Sequence, residues 1–212
     1  MKARYIAVEG VIGAGKTTLA KLLHRRFGGQ LVLEQHEENP FLPDFYREPK
    51  RFAFQTQIFF LLSRWQQQQE LHQIDLFQGR LISDYLFAKD QIFATMNLQE
   101  RELELYEKLL VAVEKTVVKP DLVIYLQSSV ERLLYNIRLR ARSYEKEITE
   151  EYIVGLAEAY NQFFFHYKES PLIVVNASKM DFVNDVAEQE KLIKFIQEEH
   201  TGTSFYHVEE TA

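Results

Sequence analysis

Short apolar runs alternate with longer stretches of helical periodicity along most of the chain. Because each helix must return the chain to the same end of a sheet, this alternation predicts a parallel sheet with helices on both faces. Ligands of such sheets bind at the carboxyl ends of the strands. The pattern therefore predicts an α/β fold with a five-stranded parallel sheet. The predicted strands are residues 5–8, 31–33, 81–83, 122–126 and 172–175.

A long helix is predicted from Phe52 to about Gln73, and four consecutive glutamines occupy positions 66–69 within it. Glutamine is a good helix former, so this run predicts a solvated helix face and not a low-complexity linker.

Two helix starts are indicated by capping residues. Ser128 followed by Glu131 is typical of a capping box, and Asp185 followed by Glu188 predicts the start of the last helix. Periodicity is lost over residues 201–212, for which we predict a mobile tail. Residues 1–200 are expected to form a single domain.

The composition is that of an ordinary soluble protein, with 46% hydrophobic and 26% charged residues. There are no cysteines, which is compatible with a reducing cytoplasm. The net charge of −6 argues against a nonspecific nucleic-acid binder. Neither a signal peptide nor an apolar run of membrane-spanning length is recognisable, so no membrane partner is expected.

A phosphate-loop motif lies between the first predicted strand and the first predicted helix. The stretch GVIGAGKTT at 10–18 fits the pattern G-x-x-x-x-G-K-[ST], whose glycines let backbone N–H groups turn inwards. The helix that begins here adds the positive end of its dipole, so the loop can enclose a polyphosphate. The loop residues are Gly10, Val11, Ile12, Gly13, Ala14, Gly15, Lys16, Thr17 and Thr18.

The last residues of the loop carry its chemistry. Lys16 can reach the β- and γ-phosphates, and the Thr17 hydroxyl can hold Mg²⁺. A glycine-rich turn without a ligand is the alternative, but the correct flanks and the presence of both Lys16 and Thr17 favour a nucleotide site. ATP and Mg²⁺ are therefore the predicted cofactors.

Beyond the loop, the chain resembles the deoxyribonucleoside kinases from about Arg4 to the last helix. It is most similar to the bacterial branch that acts on deoxyadenosine and deoxyguanosine, through ENPF at 38–41 and SDY at 83–85. The resemblance implies a P-loop kinase fold with an arginine-rich lid, a homodimer and a role in nucleotide salvage. The residues that carry it are Glu34, Tyr46 in PDFY, Gln57 and Arg64 in RFAFQTQIFFLLSR, IFA at 92–94, RLRAR at 138–142, and Glu145.

The resemblance implies that Glu34 is the catalytic base, which takes the proton from the acceptor's 5′-hydroxyl. Phosphoryl transfer mainly needs positioning and charge compensation, so a modest base suffices. A solvated strand-end glutamate is the alternative, because Glu37 and Glu38 follow closely.

The resemblance also implies a nucleoside pocket. Gln57 and Arg64 are two helical turns apart and therefore share one helix face. A side-chain amide both donates and accepts, so Gln57 is suited to hold a nucleobase edge. Tyr46 and Glu145 correspond to positions that bind the sugar 3′-hydroxyl. A surface glutamine and a packed loop tyrosine are the alternatives for Gln57 and Tyr46.

Arg138, Arg140 and Arg142 alternate where a predicted helix ends. Three guanidinium groups in five residues cannot all point one way along a regular helix, so we predict that the segment bends over a ligand. It resembles the lid of nucleoside and nucleotide kinases, in which Arg140 would act in catalysis and the other two would bind the donor. A solvated basic helix end is the alternative.

The segment after the third predicted strand departs from the family. Many members carry Glu-Arg-Ser there, whereas this chain has SDY at 83–85, without the arginine. Asp84 is predicted to act on Mg²⁺ directly or through water, or as a second candidate base. A register with Ser83 in the glutamate position stays open. Lys89 and Asp90 compete for a position that selects the base, and Asp90 is the assigned one.

Two further features carry weaker assignments. Asp181 and Phe182 resemble the loop that packs on the donor's adenine, although a loop acid and a buried phenylalanine explain them equally well. The apolar run 58–62 is compatible with the homodimer interface and with the core.

The predicted function is transfer of the ATP γ-phosphate to the 5′-hydroxyl of a deoxynucleoside, with a purine favoured. A nucleoside monophosphate kinase of the thymidylate kinase type is the first alternative. The stretch 34–45 has three glutamates, an aspartate and no Lys or Arg, which favours a neutral acceptor. A P-loop ATPase or nucleotide switch, which needs no nucleoside pocket, is the second alternative.

Overall fold

The computed structural model describes residues 3–71, 79–181 and 185–207. The strands are β1 (Tyr5–Gly10), β2 (Gln30–Val32), β3 (Leu81–Ser83), β4 (Leu122–Gln127), β5 (Leu172–Asn176) and β6 (Thr203–Tyr206). The helices are α1 (Lys16–Phe27), α2 (Leu42–Arg47), α3 (Pro49–Leu71), α4 (Lys89–Asn97), α5 (Glu100–Glu114), α6 (Val130–Arg140), α7 (Glu150–His166) and α8 (Val186–Gln197).

Within the described residues the strands form one parallel sheet in the order β2-β3-β1-β4-β5-β6. Every residue of β1 is buried, so both faces of the sheet are covered there. β2 and β3 lie on one side of β1, and β4, β5 and β6 lie on the other side. The carboxyl end of β1 is thus a topological switch point, where open α/β sheets bind ligands.

The sheet has six strands, so the prediction of five is wrong. β6 pairs in parallel with β5 in the register Leu172↔Thr203 to Val175↔Tyr206. The Tyr206 hydroxyl also donates a hydrogen bond of 2.5 Å to Glu188 on α8. Residues 203–206 therefore belong to the sheet and not to a mobile tail. Their strand pairing depends on a neighbour distant in sequence, which local periodicity does not reveal.

The glutamines at 66–69 do not form a solvated face. Gln67 and Gln68 are buried at 8% and 0% exposure. Gln67 Nε2 donates to the carbonyl oxygen of Leu33, and Gln68 Oε1 accepts from the N–H of Val118. These bonds attach α3 to the end of β2 and to the segment before β4, because a long amide side chain can pair with backbone groups that strands leave unsatisfied.

Two predicted helix starts have different outcomes. Asp185 caps α8 by accepting from the N–H of Glu188, as predicted. The cap of α6 is Ser129, one residue later than the predicted Ser128, and its hydroxyl accepts from the N–H of Arg132. The sequence offers two adjacent serines as caps, and only the backbone geometry shows which of them accepts the hydrogen bond.

The core consists of a main cluster around the sheet and a smaller one formed by α2 to α5, which includes Phe45, Leu61 and Tyr106. The smaller cluster holds α2 and α3 beside the carboxyl ends of the strands. Among the described residues, no helix combines the length and apolar character that a membrane span requires.

Candidate active site

The phosphate loop connects β1 to α1 with the geometry that its glycines permit. Gly13 and Gly15 have φ angles of 88° and 96°, which side-chain-bearing residues rarely adopt. A Cβ atom on Gly13 would also lie 2.7 Å from the carbonyl oxygen of Leu133. Asn136 on α6 donates a hydrogen bond to the carbonyl of Gly13, which fixes the loop against that helix.

Lys16 is the first residue of α1, and its ammonium group lies inside the loop. Its Nζ donates to the carbonyl oxygens of Gly10 at 2.7 Å and Val11 at 3.2 Å. Burial of the ammonium group, followed by the positive charge of Lys89, lowers the pKa of Lys16 to about 8. A cation whose hydrogen bonds go to neutral carbonyl oxygens is ready to exchange them for charged phosphate oxygens.

A cavity of about 470 Å³ opens at the carboxyl ends of β1, β2 and β3. Lys16 and Thr17 line it from the phosphate loop, Glu34 from the end of β2 and Asp84 from the end of β3. The predicted nucleotide loop and the predicted base therefore face the same cavity. Of the residues predicted to form a nucleoside pocket and a lid, the cavity lining includes Tyr46, Gln57, Arg64, Arg140, Arg142 and Glu145.

Glu34 is held by two cations, one on each carboxylate oxygen. Arg64 donates from Nε at 2.9 Å and from a terminal nitrogen at 2.5 Å to Oε1, while Lys89 Nζ lies 2.8 Å from Oε2. Burial alone raises the pKa of Glu34, but the charges of Lys89 and Arg64 outweigh it and hold this pKa well below its usual range. Glu34 is therefore a carboxylate throughout the physiological pH range, and its orientation is set from both sides.

The Arg64 guanidinium connects Glu34 to Asp90. Asp90 is fully buried, pairs with Arg64 through Oδ1, and accepts from the Tyr106 hydroxyl at 2.9 Å through Oδ2. The ring of Phe60 lies 4.6 Å below the guanidinium carbon. Of the two residues that competed for this position, Asp90 contacts Arg64 whereas Lys89 contacts Glu34.

Asp84 and Thr17 form a compact pair of oxygen donors. The Thr17 hydroxyl donates to Asp84 Oδ2 at 2.5 Å, and the N–H of Glu34 donates to Asp84 Oδ1 at 2.7 Å. Ser83 is buried instead and donates to the carbonyl oxygen of Tyr85. Asp84, and not Ser83, thus supplies the side chain of this segment that lines the cavity.

The oxygens of this pair suit Mg²⁺, which prefers hard oxygen ligands, few protein groups and several waters or phosphates. In the described residues, no group of three or more His, Cys, Asp and Glu side chains is arranged to hold a metal by itself. A pair of protein oxygens beside a phosphate loop is the donor set that a nucleotide-bound Mg²⁺ requires.

The part of the cavity that α3 and the segment after α6 line carries buried oxygens that lack partners. Within the described residues, the side-chain oxygens of Thr56, Gln57 and Tyr144 accept or donate no hydrogen bond. All three residues line the cavity, and an unpaired buried polar group is costly. Their arrangement indicates a polar ligand that satisfies them when it binds.

Tyr46 belongs to the same region. Its ring is parallel to that of Tyr144 at a centroid distance of 6.4 Å. Burial, with neighbouring Tyr152 and Glu145, raises the pKa of Tyr46 well above its usual value, so its hydroxyl stays protonated.

The arginine segment bends as predicted. α6 ends at Arg140, Ala141 adopts a left-handed φ of 51°, and a 3₁₀ turn follows at Ser143–Glu147. Arg140 donates to both oxygens of the buried Glu145, at 2.7 Å and 2.5 Å. Arg142 lies 3.7 Å from the same carboxylate.

Two of the residues predicted to bind the donor lie apart from the cavity lining, and a third is not described. Arg138 is exposed on α6, and Asp181 follows the loop after β5, with neither among the cavity residues. Phe182 lies outside the described residues. Their roles in donor binding stay predictions.

A comparison with protein families gives the context for this site. The model of the deoxynucleoside kinase family matches residues 6–201. The chain belongs to the deoxynucleoside kinase family. This membership confirms the resemblance, the P-loop kinase fold and the interpretation as a kinase.

Individual members of the family are similar over nearly their whole length. A deoxyguanosine kinase of Bacillus subtilis (strain 168) is 34% identical, over 92% of this chain and 97% of the relative. A deoxyadenosine kinase of Dictyostelium discoideum is 35% identical, over 97% of this chain and 82% of the relative. The structure of a deoxyadenosine kinase from M. mycoides with bound dATP superposes with a TM-score of 0.79 at 29% identity, covering 91% of this chain and 98% of the other.

The sequence analysis missed two charged residues of this family member's site. Glu9 is an acid inside an apolar strand next to the phosphate loop, a signal that could have identified it. It is fully buried and accepts from the N–H groups of Gly10 and Leu86 and from the Tyr160 hydroxyl. Lys89 was considered only for base selection, and no local pattern indicates its pairing with Glu34.

Proposed function

We propose that this kinase transfers the γ-phosphate of ATP to the 5′-hydroxyl of a purine deoxynucleoside, deoxyguanosine or deoxyadenosine, in nucleotide salvage. One observation carries the proposal: Lys16 of the phosphate loop and the carboxylate of Glu34 line one cavity. A donor triphosphate held by the loop and a sugar hydroxyl held by Glu34 would thus meet inside it.

Glu34 is the proposed base. The acceptor's 5′-oxygen attacks the γ-phosphorus, the bond between the γ-phosphorus and the β–γ bridging oxygen breaks, and ADP leaves with that electron pair. The hydroxyl proton goes to Glu34. Although its basicity is lowered by Lys89 and Arg64, the hydroxyl becomes much more acidic as its bond to phosphorus forms, so an oriented carboxylate suffices.

Thr17 and Asp84 are the proposed Mg²⁺ ligands, because their oxygens lie together beside the loop. A metal ion there would neutralise charge on the β- and γ-phosphates. Lys16 would exchange its carbonyl partners for the same phosphates, and the N–H groups of the loop would complete the cradle.

Arg140 and Arg142 are proposed to stabilise charge on the transferred phosphoryl group. Both line the cavity from the segment that turns over it. In the structure Arg140 pairs with Glu145, the residue proposed to bind the sugar 3′-hydroxyl together with Tyr46. This pairing would make the position of the arginine depend on the acceptor, because the two ligands of Glu145 compete for its oxygens.

Gln57, Arg64 and Asp90 are proposed to recognise the nucleobase. The oxygen of Gln57 is buried without a partner among the described residues, and Arg64 lines the cavity beside it. Asp90 does not line the cavity; it would act by holding the Arg64 guanidinium in a fixed orientation. The relatives named as deoxyguanosine and deoxyadenosine kinases support a purine acceptor.

Acceptor-dependent ADP release tests the function. The protein is incubated with ATP and Mg²⁺, alone and with each of the four deoxynucleosides and their 5′-monophosphates. The proposal expects release with a purine deoxynucleoside and little without an acceptor. Equal release without any acceptor would indicate an ATPase, and release with monophosphates alone would indicate a nucleoside monophosphate kinase.

The proposed assembly is a homodimer. α5 exposes Leu105 and Leu109, which are one turn apart on the same helix face, and its packing neighbour α3 exposes Leu62. Exposed apolar side chains on neighbouring helices are typical of a surface that a second chain covers.

A further inference from the structure

A buried lysine lies between two carboxylates at the edge of the cavity. Lys89 is 3% exposed, and its ammonium nitrogen lies 2.8 Å from Glu34 Oε2 and 4.0 Å from Glu9 Oε2. It lines the cavity together with Lys16 and Asp84.

This is an unfavourable place for a cation. Desolvation disfavours a buried ammonium group, and Lys89 is the first residue of α4, where the helix dipole is positive. Lys16 adds a second buried cation, whose pKa is lowered first by burial and next by the charge of Lys89. The charged groups that interact with Lys89 are Glu9 on β1, Lys16 on α1 and Glu34 after β2. Arg64 on α3 also interacts with Glu34, and Asp84 after β3 also interacts with Lys16.

Glu9 is not the hydrogen-bond partner that compensates the buried charge of Lys89. Its carboxylate accepts from the N–H of Gly10 at 2.8 Å, from the N–H of Leu86 at 2.7 Å and from the Tyr160 hydroxyl at 3.2 Å. Gly10 lies on β1, Leu86 lies in the segment before α4, and Tyr160 lies on α7. The distance of 4.0 Å between Lys89 Nζ and Glu9 Oε2 is too long for a hydrogen bond. The hydrogen-bond partner of Lys89 is Glu34.

The two cations on Glu34 divide its oxygens unequally. Arg64 makes two hydrogen bonds to Oε1, whereas Lys89 makes one to Oε2. A carboxylate oxygen accepts about two hydrogen bonds in favourable directions. Both positions on Oε1 are therefore taken by Arg64, whereas Oε2 can accept one more hydrogen bond. Oε2 is therefore the oxygen of Glu34 that has room for a hydrogen bond from a substrate hydroxyl.

We propose that Lys89 is a positioning residue for phosphoryl transfer, which holds Oε2 of Glu34 at the cavity so that this oxygen receives the acceptor's proton. The inference rests on the proposed function, in which Glu34 is the base. Lys89 keeps its own protons throughout. It acts through the carboxylate, and the bonds formed and broken are those of the transfer described above.

The test compares Lys89→Met, Lys89→Arg, Glu34→Gln and the double variant Glu34→Gln/Lys89→Met by kcat and by KM for each substrate. Lys89→Met is expected to lower kcat about 100-fold, the range of general-base contributions, with the KM for ATP within about twofold of the wild type. Lys89→Arg keeps a charged donor, so its kcat is expected to be about tenfold higher than that of Lys89→Met. Lys50→Met, on the exposed start of α3, is the matched control.

The double variant separates positioning from a structural role. If Lys89 acts through Glu34, its removal from the Glu34→Gln background is expected to change kcat by less than about threefold. This comparison also holds if Lys89→Met alone fails to fold, because the double variant leaves no unpaired carboxylate at position 34. Circular dichroism and thermal unfolding verify that each variant is folded.

Multiplicative losses in the double variant would overturn the proposal, as would an unchanged kcat in Lys89→Met or a loss confined to the KM for ATP. In each case the wild type would still phosphorylate a deoxynucleoside. If the wild type phosphorylates none of the four deoxynucleosides, the proposed function itself fails, and that result is read before any variant is compared.

Discussion

Gln57 and Gln66 are the same residue type on the same helix, yet only Gln57 is buried and lines the cavity. Gln57→Ala is expected to raise the KM for the deoxynucleoside about tenfold, because leaving the buried base edge without its hydrogen-bond partner costs about 1–3 kcal/mol. The KM for ATP is expected to stay within about twofold. Steady-state kinetics with each substrate varied in turn measures both.

Gln66→Ala is the matched control and is expected to leave both constants unchanged, since its side chain is exposed. Equal increases in the two KM values of Gln57→Ala would contradict the assignment of this residue to the nucleobase.

The lowered pKa of Lys16, about 8, makes donor binding depend on pH. Below pH 8 the Lys16 ammonium group is charged before the nucleotide binds. Above pH 8 the side chain is mostly neutral in the nucleotide-free protein and must take up a proton on binding, because the phosphates favour its charged form. The affinity for magnesium-free ATP is therefore expected to fall above pH 8, towards about tenfold per pH unit. Calorimetric titrations between about pH 7 and 9.5 follow this slope.

Lys16→Arg provides the comparison, because arginine keeps its proton over the whole range. A nearly flat affinity is expected for this variant above pH 8. The same slope in both proteins would assign the titration to another group.

At the level of elements, the lid depends on how α6 ends. Ala141 adopts a φ of 51°, a conformation that costs an alanine about 1 kcal/mol and glycine almost nothing. Ala141→Gly is expected to stabilise the protein by about 1 kcal/mol and to raise its Tm by about 2–4 °C. Differential scanning calorimetry measures the change.

An alanine in a regular helix should respond in the opposite direction. Ala112 is exposed inside α5, where glycine costs about 1 kcal/mol relative to alanine. Ala112→Gly is expected to lower the Tm, and a decrease in Ala141→Gly as well would show that the bend after α6 is not held as described.

At the level of the whole molecule, the exposed leucines of α5 are the proposed contact between two chains. The wild type is expected to have twice the mass of one chain in light scattering after size exclusion, and Leu105→Glu/Leu109→Glu is expected to be monomeric, because buried charges oppose association. Phe165→Glu, at a side chain that is 83% exposed on α7, is the control and should remain dimeric. A monomeric wild type would refute the homodimer.

The amino-acid sequence by itself determined the phosphate loop, five of the strands and the bend of the arginine segment. These features depend on residues close together in the chain, where backbone freedom, dipoles and apolar periodicity act locally. The two-turn spacing of Gln57 and Arg64 also predicted a shared helix face, and both line the cavity.

Only the tertiary structure decided which distant groups meet. The burial of Gln67 and Gln68, the sixth strand and the pairing of Lys89 with Glu34 depend on partners far along the chain. A lysine in an amphipathic segment looks solvated, because desolvation and ion pairing are set by neighbours and not by the residue itself. The sequence thus determined where the phosphate loop lies, and the tertiary packing of α3 and α4 decided which charges line the cavity beside it.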